Sequence, residues 1–215
     1  MKIPKVYEPT TVITDLILAL MGFVFGYHLL LIYGERGFDF HFYWAWGFIV
    51  TGLGAFFGAT SHGFGPHFTT LIKNILWKGT MLFIGLSGWF FAMGTAIFIL
   101  SPSVFDLVRW ILIVSIIVYM VYVFRDDRFI IAIRYYFPLM IFIMLEMLYQ
   151  FSIGYSMGSA YVAVGVLVSL AGAGVQASEF SIHEHFNHND LFHVIQMMGM
   201  IFMYLGGLDI GMYVN

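Results

Sequence analysis

Residues 12–33 read VITDLILALMGFVFGYHLLLIY, a run whose one formally charged side chain is Asp15. A helix needs about 20 mostly apolar residues to cross the hydrocarbon of a bilayer. The run is too long for the apolar core of a signal peptide, and no small-residue cleavage site follows it. It therefore reads as a retained transmembrane helix. Six further runs of the same character follow, at 42–62, 70–99, 104–124, 129–150, 155–177 and 189–213. The third is long enough to tilt or to extend beyond the lipid. Unpaired backbone groups are not tolerated in hydrocarbon, so such runs form helices or a closed barrel. Their continuous apolarity lacks the alternation of barrel strands. The expected architecture is all-α: a polytopic membrane protein whose seven transmembrane helices form a single domain over 1–215. The small-residue spacings Gly22/Gly26 and Gly154/Gly158 would let helices approach closely.

Composition supports the same class. The 215 residues are 61% hydrophobic and 10% charged, against about 25% charged in a soluble domain. Net charge is −3, without a basic run, which argues against nucleic acid as a partner and leaves membrane lipids as the expected one. No cysteine is present, so disulfides, thiolate catalysis and cysteine metal sites are excluded. Nothing in the chain fixes an oligomeric state.

Lys and Arg set the expected orientation. With the N-terminus inside, the inner loops and helix ends carry Lys2, Lys5, Lys73, Lys78, Arg125, Arg128 and Arg134, and the outer side carries Arg36 and Arg109. The C-terminus is then outside. Counting spans puts the end of helix 2 and the start of helix 7 on the cytoplasmic side. Six of the eight histidines gather there: His62, His67, His183, His185, His188 and His193.

Helix 7 opens Asn189-Asp190-Leu191-Phe192-His193-Val194-Ile195-Gln196. Asp190, His193 and Gln196 recur every three residues and so share one helix face. An acid and a histidine at this spacing are a known way of holding a metal inside a bundle. His62, closing helix 2 in the same leaflet, would supply a third ligand, with His188 as the alternative to Asp190. Three protein ligands plus one open position is the usual catalytic zinc arrangement, and zinc makes hydroxide available from its bound water near neutral pH. Asp15 would orient a ligand histidine. Thr60, Ser61 or Lys78 would stabilise a developing oxyanion. The plainer reading makes Asp190 a helix-start residue favoured by the dipole, with Asn187 or Asn189 as the N-cap. His28, Glu146, Gln150 and Asp209 form a separate polar group in the opposite half, read first as structural pairing. Helix 7 carries no lysine for a retinal linkage, and no phosphate loop, Gly-x-Ser-x-Gly elbow or His-Glu-x-x-His motif is present.

Seven spans, a histidine closing helix 2 and a short motif with Phe192-His193 opening helix 7 resemble the CREST superfamily, which includes alkaline ceramidases and progestin/adipoQ-type receptors. The resemblance implies a zinc held by a helix-2 histidine and two histidines of helix 7, with a Ser four residues before the first and an Asp in helix 3. His62 and His193 match. Gly58 stands at the Ser position, and Asn189 stands where the first helix-7 histidine would be, so Asp190 or His188 would take over as ligand. Helix 3 shows Lys73 and Lys78 and no Asp near its start, a role left to Asp15. Two functional classes follow: a zinc-dependent hydrolase acting on an amide or ester bond of a membrane lipid, and a non-enzymatic receptor-like sensor or a metal or proton transporter.

Overall fold

In the computed structural model, which describes residues 5–183 and 186–211, the chain folds into seven long helices. They are α1 (Pro9–Arg36), α2 (Asp39–Phe64), α3 (Thr70–Ile99), α4 (Pro102–Arg125), α5 (Ile130–Ser152), α6 (Met157–Ser178) and α7 (His188–Asp209). All seven are long and apolar enough to cross a membrane, and the protein is an integral, multi-pass membrane protein. The spans agree with the sequence-based ones to within a few residues; α1 extends less than one turn beyond each expected end, and α7 stops at Asp209. Lys2 and His185 lie outside the described residues.

Helix ends follow local chemistry. Pro9 and Pro102 sit in the first turns of α1 and α4, where a missing N–H costs nothing. Gly37 ends α1 with φ 67°, a left-handed conformation that glycine adopts freely. Thr69 caps α3 by accepting from the Ile72 N–H.

The helices pack as a ring, α1–α2–α3–α5–α6–α7 and back to α1, with α4 outside against α3 and α5. Because the helices alternate in direction, one end of the ring collects the start of α1, the end of α2 and the start of α7. The two halves of the ring are filled differently. Toward the far end the interior holds Trp44, Phe48, Phe91, Met147, Met203 and Val166, all buried. Toward the N-terminal end the inward positions are small, among them Gly54, Ala55 and Gly58 on α2, Ala132 on α5 and Ser169 and Ala173 on α6. Removing bulk from one half leaves a cavity there, since dispersion contacts hold a membrane bundle together only where side chains fill the space.

The Gly22/Gly26 face packs α1 on α2, with Gly22 against the Phe48 carbonyl and Gly52. Gly158 packs against Gly206 of α7, but Gly154 belongs to the α5–α6 turn at φ 77° and has no neighbour. That spacing therefore makes half of a helix contact. The turn needs a left-handed residue at the same place.

Candidate functional site

The site lies where α1 meets α7, at the N-terminal end of the bundle. Thr11, Thr14 and Asp15 fall at i, i+3 and i+4 on α1, which places them on one face, and all three are buried. They meet Asp190 and His193 of α7, which are buried together with Gln196 on the same helix face. Thr11 Oγ1 donates to Asp190 Oδ1 at 2.8 Å. His193 is held at both ring nitrogens, with Nδ1 3.0 Å from Thr14 Oγ1 and Nε2 3.2 Å from Asp15 Oδ1.

Proton positions follow from this geometry. The Thr14 hydroxyl donates to the Thr11 carbonyl at 3.0 Å. Its one hydrogen is then used, so it accepts from His193 Nδ1–H. His193 Nε2 and Asp15 Oδ1 are left to share a single proton, because two bare acceptors would repel and an additional one would have no partner. The pair is charge-neutral overall, the state a membrane interior tolerates best.

Asp15 Oδ2 is the charged loose end of the site, beside two neutral ones on the cavity wall, Ser169 Oγ and Gln176 Oε1. It is buried and has no hydrogen-bond partner among the described residues. A buried carboxylate oxygen without a partner is costly. It lies beside Gly58, where a Cβ would stand 3.1 Å away, so glycine there leaves the carboxylate its room. Asp15 and His193 line a cavity with a free volume of about 120 Å³, enough for several waters. His62, Gln176 and Gln196 add polar groups at this end, and Leu18, Ile84, Tyr136, Phe137 and Leu170 make the deeper walls mostly apolar, with the Thr51, Ser87 and Ser169 hydroxyls among them. Among the described residues, no Lys or Arg lines it.

The remaining expected residues are placed differently. Asp190 serves the helix start: Asn187 is the N-cap, its side chain accepts from the Asn189 and Asp190 N–H groups, and Asp190 Oδ2 accepts from the Asn187 N–H at 2.8 Å. With Oδ1 taken by Thr11, both oxygens are engaged. His62 turns Nδ1 to Glu8 Oε2 at 3.1 Å. The His188 backbone N–H bonds Ser181 Oγ, and its side chain is not part of the cavity wall. Thr60 donates to the Phe56 carbonyl of its own helix, and neither Thr60 nor Ser61 lines the cavity. Lys78, expected to stabilise an oxyanion, is not among the residues that line the cavity. The cavity face of α3 carries Trp77, Thr80, Ile84 and Ser87, and Lys78 lies about 100° round the helix from Trp77. It donates instead to the Val123 and Phe124 carbonyls at the end of α4, at 3.3 and 2.7 Å. In the opposite half, His28 pairs with Tyr204 and Asp209 accepts from the Gly158 N–H at 2.7 Å, as two separate contacts.

The donor set does not fit zinc as these side chains stand. Both His193 nitrogens and both Asp190 oxygens have protein partners, and Asp15 Oδ2 is the one unpartnered carboxylate oxygen among them. Among the described residues, no group of three His, Cys, Asp or Glu side chains is arranged to hold a metal ion. Sequence reasoning passed over Thr11 and Thr14. Their i, i+3, i+4 spacing with Asp15 was the available signal.

Asp190→Ala is expected to lower bundle stability by about 2 kcal/mol, since it removes a cap and strands the Thr11 hydroxyl. Unfolding in mixed detergent micelles measures this, and an unchanged transition would mean the cap is idle.

Residues 10–212 match a family of unknown function, DUF6962, and the chain belongs to it. No curated protein and no solved structure matches the chain.

Proposed function

We propose that this protein is an intramembrane hydrolase that cleaves an amide or ester bond of a membrane lipid, with Asp15 and His193 as its proton-exchanging pair. One observation carries the reading: Asp15 Oδ2, buried and without a partner, belongs to a carboxylate already joined to His193, and both line the same cavity. Apolar walls beyond the polar end suit a ligand with a polar head and a hydrocarbon body. The packed layer of Trp44, Phe48, Phe91 and Met203 in the other half supports a site reached from one end or from the lipid, rather than a path through the bundle. Lys5, Lys73, Lys78, Arg125, Arg128 and Arg134 lie toward the cavity end, and Arg36 and Arg109 toward the other. That bias supports a cytoplasmic position for the cavity end and for the N-terminus.

In this scheme a water between Asp15 Oδ2 and the substrate carbonyl gives its proton to Oδ2 as its oxygen attacks the carbonyl carbon. The carbon–nitrogen or carbon–oxygen bond breaks, and the leaving atom takes a proton from the Asp15–His193 pair. The products are a carboxylic acid and an amine or alcohol, and the pair returns to its starting state. The buried Gln196 amide is the group on the cavity wall suited to bond the developing oxyanion. Positioned acid–base groups of this kind contribute about 10²- to 10⁴-fold. No step passes through a metal.

The test is to reconstitute the protein in vesicles with long-chain amides and with mono- and diacylglycerols, and to follow released fatty acid by mass spectrometry. Release is the expected result. If folded protein releases acid from none of them, the enzyme reading fails and the cavity is a binding site. Chelation is expected to leave the rate unchanged. A rate lost to chelator and restored by zinc would replace the metal-free scheme with a metal-dependent one.

A further inference from the structure

The opposite flank of α3 carries a second recess with different chemistry. It is a groove of about 470 Å³, walled by Phe57 of α2, by Lys78, Gly79, Leu82, Phe83 and Leu86 of α3, and by Met120 and Phe124 of α4. The Leu82 to Leu86 part faces hydrocarbon and is lined by carbon. Its one cation is Lys78, at the level where α4 ends. Two of the three ammonium hydrogens go to the Val123 and Phe124 carbonyls, the Phe124 ring lies 5.8 Å from the nitrogen, and no third hydrogen-bond acceptor stands among the described residues. Arg125, the next residue of α4, is exposed and forms no ion pair among the described residues. The nearby acid Asp126 is taken by Arg128, which holds its carboxyl down to about 2. With Lys78, Arg125 and Arg128 against Asp126 and Asp127, the corner keeps a net positive charge at the membrane surface and is apolar below it.

The fold explains why the groove stays open. The first two turns of α3 extend past the end of α4, leaving Leu71 and Ile75 exposed, so no helix covers this side. Asn74 stands one turn before Lys78, at the same level as the chain leaving α4.

We infer that this groove is a binding site for an anionic glycerophospholipid, with one acyl chain lying between Phe57 and Met120 along Leu82, Phe83 and Leu86, the phosphate held by Lys78 and Asn74 of the groove wall, and Arg125, at the end of α4 outside that wall, adding long-range attraction. Charge selects the occupant: a cation that keeps a free hydrogen above an apolar slot matches a phosphate joined to a hydrocarbon chain. A zwitterionic lipid offers the same chain with no net charge, so the headgroup decides the preference. Each basic residue at a membrane surface favours an acidic lipid about fivefold.

The test uses the whole chain, purified from vesicles holding equal phosphatidylglycerol and phosphatidylcholine of the same acyl composition, with retained lipid counted by native mass spectrometry. The wild-type protein is expected to retain phosphatidylglycerol at least about fivefold over phosphatidylcholine. The preference is expected to fall below about twofold in Lys78→Gln/Arg125→Gln. Arg125→Gln alone, at an exposed position, secures the result if the double variant does not fold, and is expected to lower the preference more than about twofold. Met120→Trp, which narrows the groove, is expected to reduce retention of both lipids. Equal retention by the wild type, or a preference that survives loss of both cations, overturns the assignment. Unchanged lipid occupancy in Met120→Trp overturns the placement of the chain.

Discussion

Asp15→Asn is expected to reduce lipid hydrolysis by about 100-fold or more while leaving the bundle folded. Asparagine keeps the size of the carboxylate and can still bond His193 Nε2, now 3.2 Å from Asp15. It cannot take a proton from water, and it ends the sharing of one proton across the pair. The loss should fall on kcat, with KM nearly unchanged, because the acyl body of the lipid rests on apolar walls the substitution does not touch. Stability should hold, since the amide keeps the carboxylate's shape and its bond to His193, and the atom left without a partner is then uncharged. His193→Gln should reach a similar rate from the other side, and the double variant should lose little more, because the two groups act as a unit. Wild-type turnover in Asp15→Asn would exclude the pair as the proton-exchanging group. Unfolding of that variant would instead mark the pair as a structural clasp between α1 and α7.

Gly165→Val is expected to destabilise the bundle by at least about 3 kcal/mol and to leave much of the protein aggregated on extraction. Along the α6–α7 seam the two backbones touch. A Cβ at 165 would lie 2.6 Å from the Gly199 carbonyl oxygen and 2.7 Å from the Met203 nitrogen. Backbone atoms cannot rotate aside as a side-chain tip can, so α6 would have to move away from α7. Close approach of this kind is a main source of helix association where lipid removes the hydrophobic drive between helices. The shift would also displace Gln196 and His193, so activity should fail together with stability. Size-exclusion chromatography and unfolding in mixed micelles measure the effect. A monodisperse protein with an unchanged transition would show that the seam yields. The contrast with Asp15→Asn is useful, since one variant is expected to lose chemistry at constant stability and the other to lose both.

Seven spans and the pairing of their ends could be read from residues alone. Stretches such as 12–33 cannot remain in water with their apolar surface exposed, and once in lipid their backbones must be helical. The end of the bundle that gathers His62, Asp15 and His193 follows from counting crossings. The switch within α2 from Phe40, Trp44 and Phe48 to Gly54, Ala55 and Gly58 already stands in the sequence as a change in bulk, and it marks the half of the bundle that encloses the cavity.

Partnerships within that end required the tertiary structure. Sequence spacing puts Asp190 and His193 on one face of α7, but it cannot say which of them α1 meets with a carboxylate and which with a hydroxyl. The rotation of α1 about its axis decides this. It places Asp15 against His193 and Thr11 against Asp190, and so makes Asp190 a cap and leaves Asp15 Oδ2 without a partner. Lys78 follows the same logic: its sequence position is near the site, but a rotation of about 100° from Trp77 sends it to α4. Hydropathy determined that these helices exist and where they end, because transfer to lipid is a property of each segment. Helix rotation and close packing, set by contacts between residues up to 179 positions apart, decided which polar groups meet.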